Sequence, residues 1–283
     1  MLHVLVSDAG QVLDPNVPLL HADDLGVLHG DGLFETMLMR DGLVRNLERH
    51  IDRLATSTAP AGLPPIDIAH VAELIEIAAT EWRRRFDGEG ALRVVYTRGR
   101  EGGDRPTLYV TVSAVPSRVA EVRRDGIRAV TLPTAYRPGL AAEAPWLLAG
   151  VKSLSYAANV AALRHVQGLG VDDAIFVADD GSVLEGPRSS VVAVIEGVLV
   201  TPLRDDGILP GTTQAELFAH ARTRGIPVDE RRLHVDELFS AAEVWLLSSI
   251  TVAARVHRLN GQDLPNQRKV IGVAAMLGVP PMS

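Results

Sequence analysis

The sequence predicts a mixed α/β protein, more closely described as α+β, that folds as two domains. Its 283 residues exceed the usual size of a single domain. Hydrophobic residues make up 47% of the chain and charged residues 22%, as in globular proteins that bury a core. Helix and strand patterns succeed one another without the strict alternation of a doubly wound sheet. We therefore expect an α+β or barrel-like arrangement, above all in the second half.

A change of composition near residue 116 predicts the domain boundary. Pro116 and the charged residues after it indicate an inter-domain linker over residues 117–126. We expect an N-terminal α/β domain over residues 1–116 and a larger C-terminal domain over residues 127–283.

The first half of the chain predicts a strand, a hairpin and two helices, followed by two more strands. Residues 2–6 are strand-like, and Asp41-Gly42 between two apolar runs predicts a type I′ hairpin. Asn46 can cap the first helix, and Asp67 can cap a second helix. The second helix has an apolar stripe formed by Val71, Leu74, Ala78, Trp82 and Phe86. The last two strands are expected over residues 91–98 and 107–115.

The second half predicts short strands mixed with helices. The strands are expected over residues 127–131, 173–178, 189–195, 198–201, 227–232, 243–249 and 252–258. The helices are expected near residues 155–168, 211–225 and 267–278.

Composition and charge argue against several classes of function. The formal net charge of −7 disfavours a nucleic-acid partner, which would need clustered excess lysine and arginine. No apolar run approaches the ~18 residues that a membrane span needs. The nine histidines have no HxxxH or HExxH spacing and cysteine is absent, so we expect no metal site. The chain does not begin with a signal-peptide pattern, and we expect a cytoplasmic protein.

A lysine in an apolar segment is the first candidate for chemistry. Lys152 lies in Gly-Val-Lys-Ser-Leu-Ser-Tyr, where small and apolar neighbours disfavour the ammonium form and favour a nucleophilic amine. Glu185, in the turn Val-Leu-Glu-Gly, could pair with the ring nitrogen of a pyridoxal cofactor. The alternative is that Lys152 simply extends into solvent.

Two hydroxyl-rich segments could bind an anion such as phosphate. Gly211 precedes Thr212 and Thr213 at a predicted helix start, where free N–H groups and hydroxyls attract anions. The alternative there is a plain helix cap, with a capping box from Thr213 to Glu216. Ser248 and Ser249 end an apolar strand, where two hydroxyls could hold a phosphate or could simply mark the point at which the chain leaves the core. Arg53 could add the positive charge, or could form only a surface salt bridge.

Six motifs in one order resemble a known family. They lie at residues 30–36, 50–54, 151–154, 184–186, 209–213 and 248–249. This set resembles the class IV, or fold type IV, pyridoxal-phosphate enzymes. These include branched-chain aminotransferases, D-amino acid aminotransferases and aminodeoxychorismate lyases. The resemblance extends over residues 2–265.

The resemblance implies a fold, a cofactor and an assembly. The fold would have a small N-terminal α/β domain and a larger C-terminal pseudo-barrel domain that binds pyridoxal 5'-phosphate. The assembly would be a homodimer with the active site near its interface, acting on a small-molecule substrate.

The resemblance also implies a role for individual residues. Lys152 matches the Schiff-base lysine and proton carrier, and Glu185 matches the carboxylate that faces the pyridinium nitrogen. Tyr156 matches a tyrosine near the phenolic oxygen of the cofactor. The residues that match phosphate-binding positions are Arg53, Thr212, Thr213, Ser248 and Ser249. The sequence departs from the family pattern at Ser155 and Ser190, where many members have asparagine. Neither residue carries a charge, so these departures affect the exact position of the cofactor and not its assignment.

The strand over residues 33–39 helps to distinguish the lyases from the aminotransferases of this family. Alternation places Phe34 and Thr36 on one face, which in the family lines the substrate pocket. Thr36 resembles the lyases, since the aminotransferases compared have glycine or valine there. Arg93, on the pocket-facing register that the resemblance implies, is the candidate for binding a substrate carboxylate, or could form only a salt bridge. The arginine–histidine pair of D-amino acid aminotransferases is not evident in residues 101–105, although the lyase motif there is also incomplete.

The resemblance therefore favours an aminodeoxychorismate lyase, an enzyme of folate biosynthesis. Lys152 would remove a proton from the carbon that bears nitrogen, and Thr36 would protonate the leaving group. The products would be 4-aminobenzoate and pyruvate. A D-amino acid or branched-chain aminotransferase is the first alternative, and a cofactor-binding protein without turnover is the second.

Overall fold

The computed structural model describes residues 2–265 and 271–279, and this part of the chain divides into two compact units. The first unit comprises the described residues up to Pro116 together with Val151–Tyr156. The second unit comprises Ser117–Gly150 and the described residues from Ala157 onward. No helix within residues 2–265 and 271–279 is long and apolar enough to cross a membrane.

The first unit contains a six-stranded antiparallel sheet. Its strands are β1 (Leu2–Ser7), β2 (Val12–Leu13), β3 (Gly32–Arg40), β4 (Leu43–Val44), β5 (Gly90–Thr97) and β6 (Thr107–Ala114), in the spatial order β2-β1-β6-β5-β3-β4. Its helices are α1 (Leu25–Leu28), α2 (Leu47–Thr58) and α3 (Ile68–Arg85).

Local sequence signals set several of these elements. Asp41 and Gly42 have φ angles of 51° and 75°, as a type I′ turn between β3 and β4 requires, so the predicted hairpin is confirmed. Asp67 accepts hydrogen bonds from two N–H groups of α3 and caps it as predicted. Asn46 differs from the prediction, because it adopts a left-handed conformation and its side chain forms no capping bond.

Alternate residues of β3 pack into the core of the first unit. Leu33, Met37 and Met39 are buried against α2 and α3. The apolar stripe of α3 belongs to the same core. Four of the five residues predicted for that stripe are buried, and Phe86 is the partly buried residue that ends the helix. Phe34 and Thr36 therefore lie on the opposite face of the sheet.

The segment Val151–Tyr156 belongs to the first unit, although the sequence predicted it within the domain over residues 127–283. Its backbone pairs with the beginning of β3. The Phe34 N–H group donates to the Lys152 carbonyl (3.1 Å), and the Leu154 N–H group donates to the Gly32 carbonyl (2.8 Å). These bonds join residues more than a hundred positions apart, and no local pattern could indicate them.

The second unit is built on a nine-stranded mixed sheet. Its strands are β7 (Ile127–Pro133), β8 (Asp173–Val177), β9 (Glu185–Gly186), β10 (Ser189–Ile195), β11 (Val198–Thr201), β12 (Val228–Glu230), β13 (Glu243–Ser248), β14 (Val252–Leu259) and β15 (Gln262–Asp263). The main spatial order is β12-β11-β10-β13-β14-β7-β8, and β9 and β15 pair with β10 and β14. The pairs β11–β12, β14–β7 and β7–β8 are parallel.

The helices of the second unit are α4 (Arg118–Asp125), α5 (Leu140–Glu143), α6 (Ala157–Gly168), α7 (Thr212–Thr223), α8 (Val235–Ser240) and α9 (Val273–Met276). Helix α4 occupies the residues predicted as an inter-domain linker. None of its residues is fully buried, so it lacks the apolar stripe that predicts a helix. The helix expected near residues 267–278 is described only in part, since residues 267–270 lie outside the described ranges.

Candidate active site

The lysine cluster of the first unit consists of Phe34, Thr36, Arg93, Lys152 and Tyr156. The Lys152 Nζ atom lies 4.3 Å from the centroid of the Phe34 ring and 5.2 Å from that of Tyr156. The two rings meet edge to face, with centroids 5.3 Å apart. Lys152 therefore lies against two aromatic rings, whose faces attract a cation and displace water from around the amine.

Thr36 and Arg93 form the second part of this cluster. They are opposite one another in the β3–β5 register, and the Arg93 Nε atom donates to Thr36 Oγ1 at 3.3 Å. The Arg93 guanidinium also lies 5.6 Å from the Phe34 ring centroid. No carboxylate of the described ranges forms an ion pair with Arg93. The guanidinium is thus available to an anionic ligand.

A shallow cleft of about 270 Å³ adjoins Arg93. Its other lining residues are Leu2, Ala91, Thr111 and Ser113. Arg93 and the two hydroxyl side chains supply hydrogen-bond donors, as a carboxylate requires.

Arg53 lies on the other face of β3, where it contacts a buried carboxylate. Glu35 is 2% exposed and accepts hydrogen bonds from Arg53 Nε and Nη2, both at 2.7 Å. His50 Nδ1 lies 2.7 Å from the same carboxylate. Arg53 therefore forms a buried salt bridge, and not the surface salt bridge that was the alternative for this residue.

The charge of Glu35 depends on these partners. Burial alone would raise its pKa, but the charge of Arg53 and the hydrogen bonds from His50 and Arg53 outweigh burial and lower the pKa to about 2. Burial lowers the pKa of His50, although its hydrogen bond to Glu35 opposes this. Glu35 and His50 are members of this site that the sequence patterns did not indicate. The sequence signal that could have found Glu35 is its charge, since the other residues on the same face of β3 are apolar.

The hydroxyl cluster of the second unit consists of Glu185, Ser190, Gly211, Thr212, Thr213 and Ser249. Glu185 on β9 pairs in register with Ser190 on β10, and its Oε2 atom accepts the N–H group of Leu209 at 3.1 Å. A Cβ atom built at Gly211 would lie 2.2 Å from Ser190 Oγ. Any larger residue at position 211 would require the Ser190 hydroxyl to move.

Helix α7 begins with two threonines, and no side chain caps its N-terminus. Gly211 is the N-cap and no side chain caps the helix, so the predicted capping box from Thr213 to Glu216 is wrong. Thr213 is inside the first turn, and its buried Oγ1 atom has no hydrogen-bond partner in the described part of the chain. Thr212 Oγ1 lies 3.5 Å from Ser249 Oγ, just beyond β13.

Ser248 has a local role in the structure. It ends β13, and its Oγ atom accepts the N–H group of Thr251 at 3.3 Å within the following turn. This bond leaves the hydroxyl proton of Ser248 able to donate elsewhere.

The donors and acceptors of both clusters fit pyridoxal 5'-phosphate. The first-turn N–H groups of α7 and the unpaired Thr213 hydroxyl suit a phosphate. Glu185 suits a protonated ring nitrogen, and the Lys152 amine suits an aldehyde. Lys152, Tyr156, Phe34, Thr36, Arg93 and Arg53 belong to the first unit. Glu185, Thr212, Thr213, Ser248 and Ser249 belong to the second, and their joint role at one cofactor stays a prediction.

Comparison with known proteins identifies the family. The family described as amino-transferase class IV matches residues 32–259. A bifunctional aminodeoxychorismate lyase / D-amino acid transaminase from Mycobacterium tuberculosis is 47% identical over 269 residues, which cover 93% of each chain. The PLP-bound form of a hypothetical aminotransferase from the same organism has 46% identity and a TM-score of 0.94, with 98% of each chain covered.

A more distant structure is 4-amino-4-deoxychorismate lyase from Pseudomonas aeruginosa. It has 26% identity and a TM-score of 0.77, and the match covers 92% of this chain and 95% of that one. These similarities confirm the predicted fold type IV architecture and pyridoxal 5'-phosphate as the cofactor. The protein is an enzyme that acts on small molecules, and it belongs to the class IV aminotransferase family.

Proposed function

We propose that this enzyme is a lyase that converts 4-amino-4-deoxychorismate to 4-aminobenzoate and pyruvate. The observation that carries the proposal is the hydrogen bond from Arg93 to Thr36 beside Phe34 and Lys152. It combines a nucleophilic amine, a hydroxyl proton donor and an anion-binding guanidinium on one face of a sheet. The name of the 47% identical relative, which includes this lyase activity, supports the same assignment.

The residues that would hold the cofactor are assigned in the same proposal. Lys152 would bind its aldehyde carbon covalently, and Glu185 would hold a proton at its ring nitrogen. Tyr156 would approach its phenolic oxygen. The phosphate would be bound by Arg53, Thr212, Thr213, Ser248 and Ser249. When bound, the cofactor withdraws electrons from the substrate carbon attached to nitrogen.

Lys152 and Thr36 would move the two protons of the reaction. The Lys152 amine, displaced from the aldehyde carbon by the substrate nitrogen, would take the proton from the carbon that bears this nitrogen. Thr36 Oγ1 accepts a hydrogen bond from Arg93, so its own proton points to a different acceptor. We assign that proton to the oxygen through which the enolpyruvyl group departs. The ring becomes aromatic as this group leaves, which makes elimination favourable without an amino acceptor.

Arg93 would bind a substrate carboxylate. Its guanidinium has no ion-pair partner in the described ranges, and a carboxylate would supply two acceptors for its fork of donors. Arg93 and Lys152 both approach the Phe34 ring, which offers an apolar surface between the two charged groups. A substrate with an amine, a ring and a carboxylate suits this order of groups.

Amino transfer is the second candidate function. The 47% identical relative is named as both a lyase and a D-amino acid transaminase. A transaminase would use Lys152 and Glu185 in the same roles but would return the amine to a keto acid. We also propose a homodimer with the active site near its interface, as the family resemblance implies. Sedimentation of the purified protein would test the assembly.

One incubation separates the candidate functions. The purified enzyme is mixed with 4-amino-4-deoxychorismate without any keto acid, and pyruvate and 4-aminobenzoate are measured. Equal amounts of both products are expected, with none from Lys152→Ala. A parallel incubation contains D-alanine or L-leucine with 2-oxoglutarate. Amino transfer without pyruvate release from 4-amino-4-deoxychorismate would replace the lyase by an aminotransferase, and no turnover in either mixture would indicate a binding protein.

A further inference from the structure

Helix α4 is fixed against β14 at its C-terminal end. Gly126 follows the helix with a φ of +77°, a conformation that favours glycine. A Cβ atom at this position would lie 2.6 Å from the Arg255 carbonyl oxygen on β14. The helix end therefore approaches the strand more closely than any other residue type would allow.

Arg123 extends from α4 to the turn between β13 and β14. Its Nε atom donates to the Thr251 carbonyl at 3.0 Å, and its Nη2 atom donates to the Ile250 carbonyl at 2.5 Å. One guanidinium thus holds two consecutive carbonyl groups of a single turn. Its planar fork fixes the orientation of both peptide groups more firmly than a single bond could.

That turn has an unfavourable backbone conformation. Val252 is fully buried and has a φ of +66°, which a β-branched residue rarely adopts. Such a conformation persists only where surrounding contacts hold it. The two bonds from Arg123 and the bond from the Thr251 N–H group to Ser248 Oγ are contacts of this kind.

The two sides of the turn face different groups. In a trans peptide the carbonyl and the following N–H group point in opposite directions. The Ile250 carbonyl points to Arg123, so the Thr251 N–H group points away from it, toward the Ser248 hydroxyl. Ser249, at the start of the same turn, has its Oγ atom 3.5 Å from Thr212 Oγ1 at the start of α7.

We infer that Arg123 is a positioning residue for the phosphate-binding hydroxyls. It holds the Ile250 and Thr251 carbonyls and thereby fixes the Ser249 hydroxyl next to Thr212. The inference rests on the proposed role of Ser249 in binding the cofactor phosphate. It does not depend on whether the enzyme is a lyase or a transaminase.

The test compares two ligands that differ only in the phosphate. The full-length protein is stripped of cofactor and titrated with pyridoxal 5'-phosphate and, separately, with pyridoxal. Arg123→Ala is expected to weaken binding of the phosphorylated ligand about tenfold, the effect of one well-placed hydrogen bond, and to leave pyridoxal binding unchanged. Arg124→Ala is the matched control, because Arg124 is exposed and pairs with Asp125 in α4. Equal weakening for both ligands, or none for either, would overturn the inference.

Two further variants locate the effect. Arg123→Lys keeps one cation near the carbonyls and should recover part of the affinity, and it serves as the test variant if Arg123→Ala does not fold. Ser249→Ala tests the proposed role of Ser249 directly, since loss of that hydroxyl should also weaken binding of the phosphorylated ligand. The double variant Arg123→Ala/Ser249→Ala should bind no more weakly than Ser249→Ala, because both changes remove the same contact. Fully additive losses would mean that Arg123 acts through another group.

Discussion

Arg53 donates two hydrogen bonds of 2.7 Å to the buried carboxylate of Glu35. Glu35 belongs to the core-facing series of β3, where its neighbours Leu33 and Met37 are apolar. An ion pair in such a position keeps a guanidinium in one orientation, because any other orientation would leave a buried charge unpaired.

Replacement of Glu35 by alanine should therefore destabilise the enzyme. Arg53 would lose its buried partner, and removal of one member of a buried pair costs about 3–5 kcal/mol. Urea unfolding of Glu35→Ala and wild-type protein measures this difference. A loss below about 1 kcal/mol would mean that Arg53 does not depend on Glu35.

The same pair predicts a dependence of stability on pH. The pKa of Glu35 is about 2 in the folded protein against an ordinary value of 4.5, so its stabilising contribution is present above pH 4.5. It is lost as the pH falls from 4.5 to 2, when the carboxylate becomes protonated. Between pH 4.5 and 2, the free energy of unfolding of Glu35→Gln should fall by roughly 3 kcal/mol less than that of the wild-type protein.

Glu185→Gln should reduce turnover by about 10²-fold or more while cofactor affinity changes little. The amide oxygen can still accept the Leu209 N–H group, but the charge that would hold a proton at the ring nitrogen is lost. Steady-state kinetics and cofactor titration measure the two effects. Glu196→Gln, in an exposed turn, is the control and should match the wild type.

Thr36→Val removes a hydroxyl with almost no change of shape. The rate of 4-aminobenzoate release should fall about 10²-fold, because the leaving group would lose its proposed proton donor, while KM should change much less. Thr36→Ser should recover most of the rate. A rise in KM with an unchanged rate would assign Thr36 to substrate binding instead.

Arg93→Ala should raise KM for 4-amino-4-deoxychorismate about tenfold to a hundredfold, since hydrogen bonds to a charged group contribute about 1.5–3 kcal/mol. The proposed remote carboxylate predicts a smaller change of KM for D-alanine, whose carboxylate is next to its amine. Arg100→Ala is the control on the same unit, where Arg100 forms an exposed ion pair with Asp23. Equal effects on both substrates would contradict the assignment.

Gly211→Ala should weaken cofactor binding about tenfold, because its Cβ atom would lie 2.2 Å from Ser190 Oγ and displace the start of α7. Ser190→Ala removes the clashing oxygen, and the next atom, Ser190 Cβ, would be 3.3 Å away. The double variant should therefore bind the cofactor better than Gly211→Ala alone. Failure of this recovery would assign the glycine another role.

The features predicted correctly from sequence are those set by neighbouring residues. Asp41-Gly42 defines a hairpin and Asp67 caps α3 because both signals act over two or three positions. The capping box at Thr213 was wrong because Gly211, which packs closely against Ser190, is the N-cap, two residues before Thr213. That approach joins residues 21 positions apart and leaves no local signal.

In the candidate site, too, residues with a local sequence signal were predicted and residues that depend on long-range contacts were not. Lys152, Thr36 and Phe34 could be selected from motifs and alternation, and their contacts are now visible. Glu35, His50 and Arg123 were not selected, since each acts through a partner on another element. Helix α4 was missed as well, because a short polar helix without buried residues resembles a charged connection.

The pairing of Val151–Tyr156 with β3 has a consequence for biosynthesis on the ribosome. Residues 2–116 are translated first, but the start of β3 acquires its hydrogen bonds to Lys152 and Leu154 only after residues 117–154 have also been translated. The nascent first unit must therefore wait with these backbone groups unpaired. A protein truncated after Pro116 would retain every strand of its sheet and still lack Lys152 and the segment that packs against Phe34.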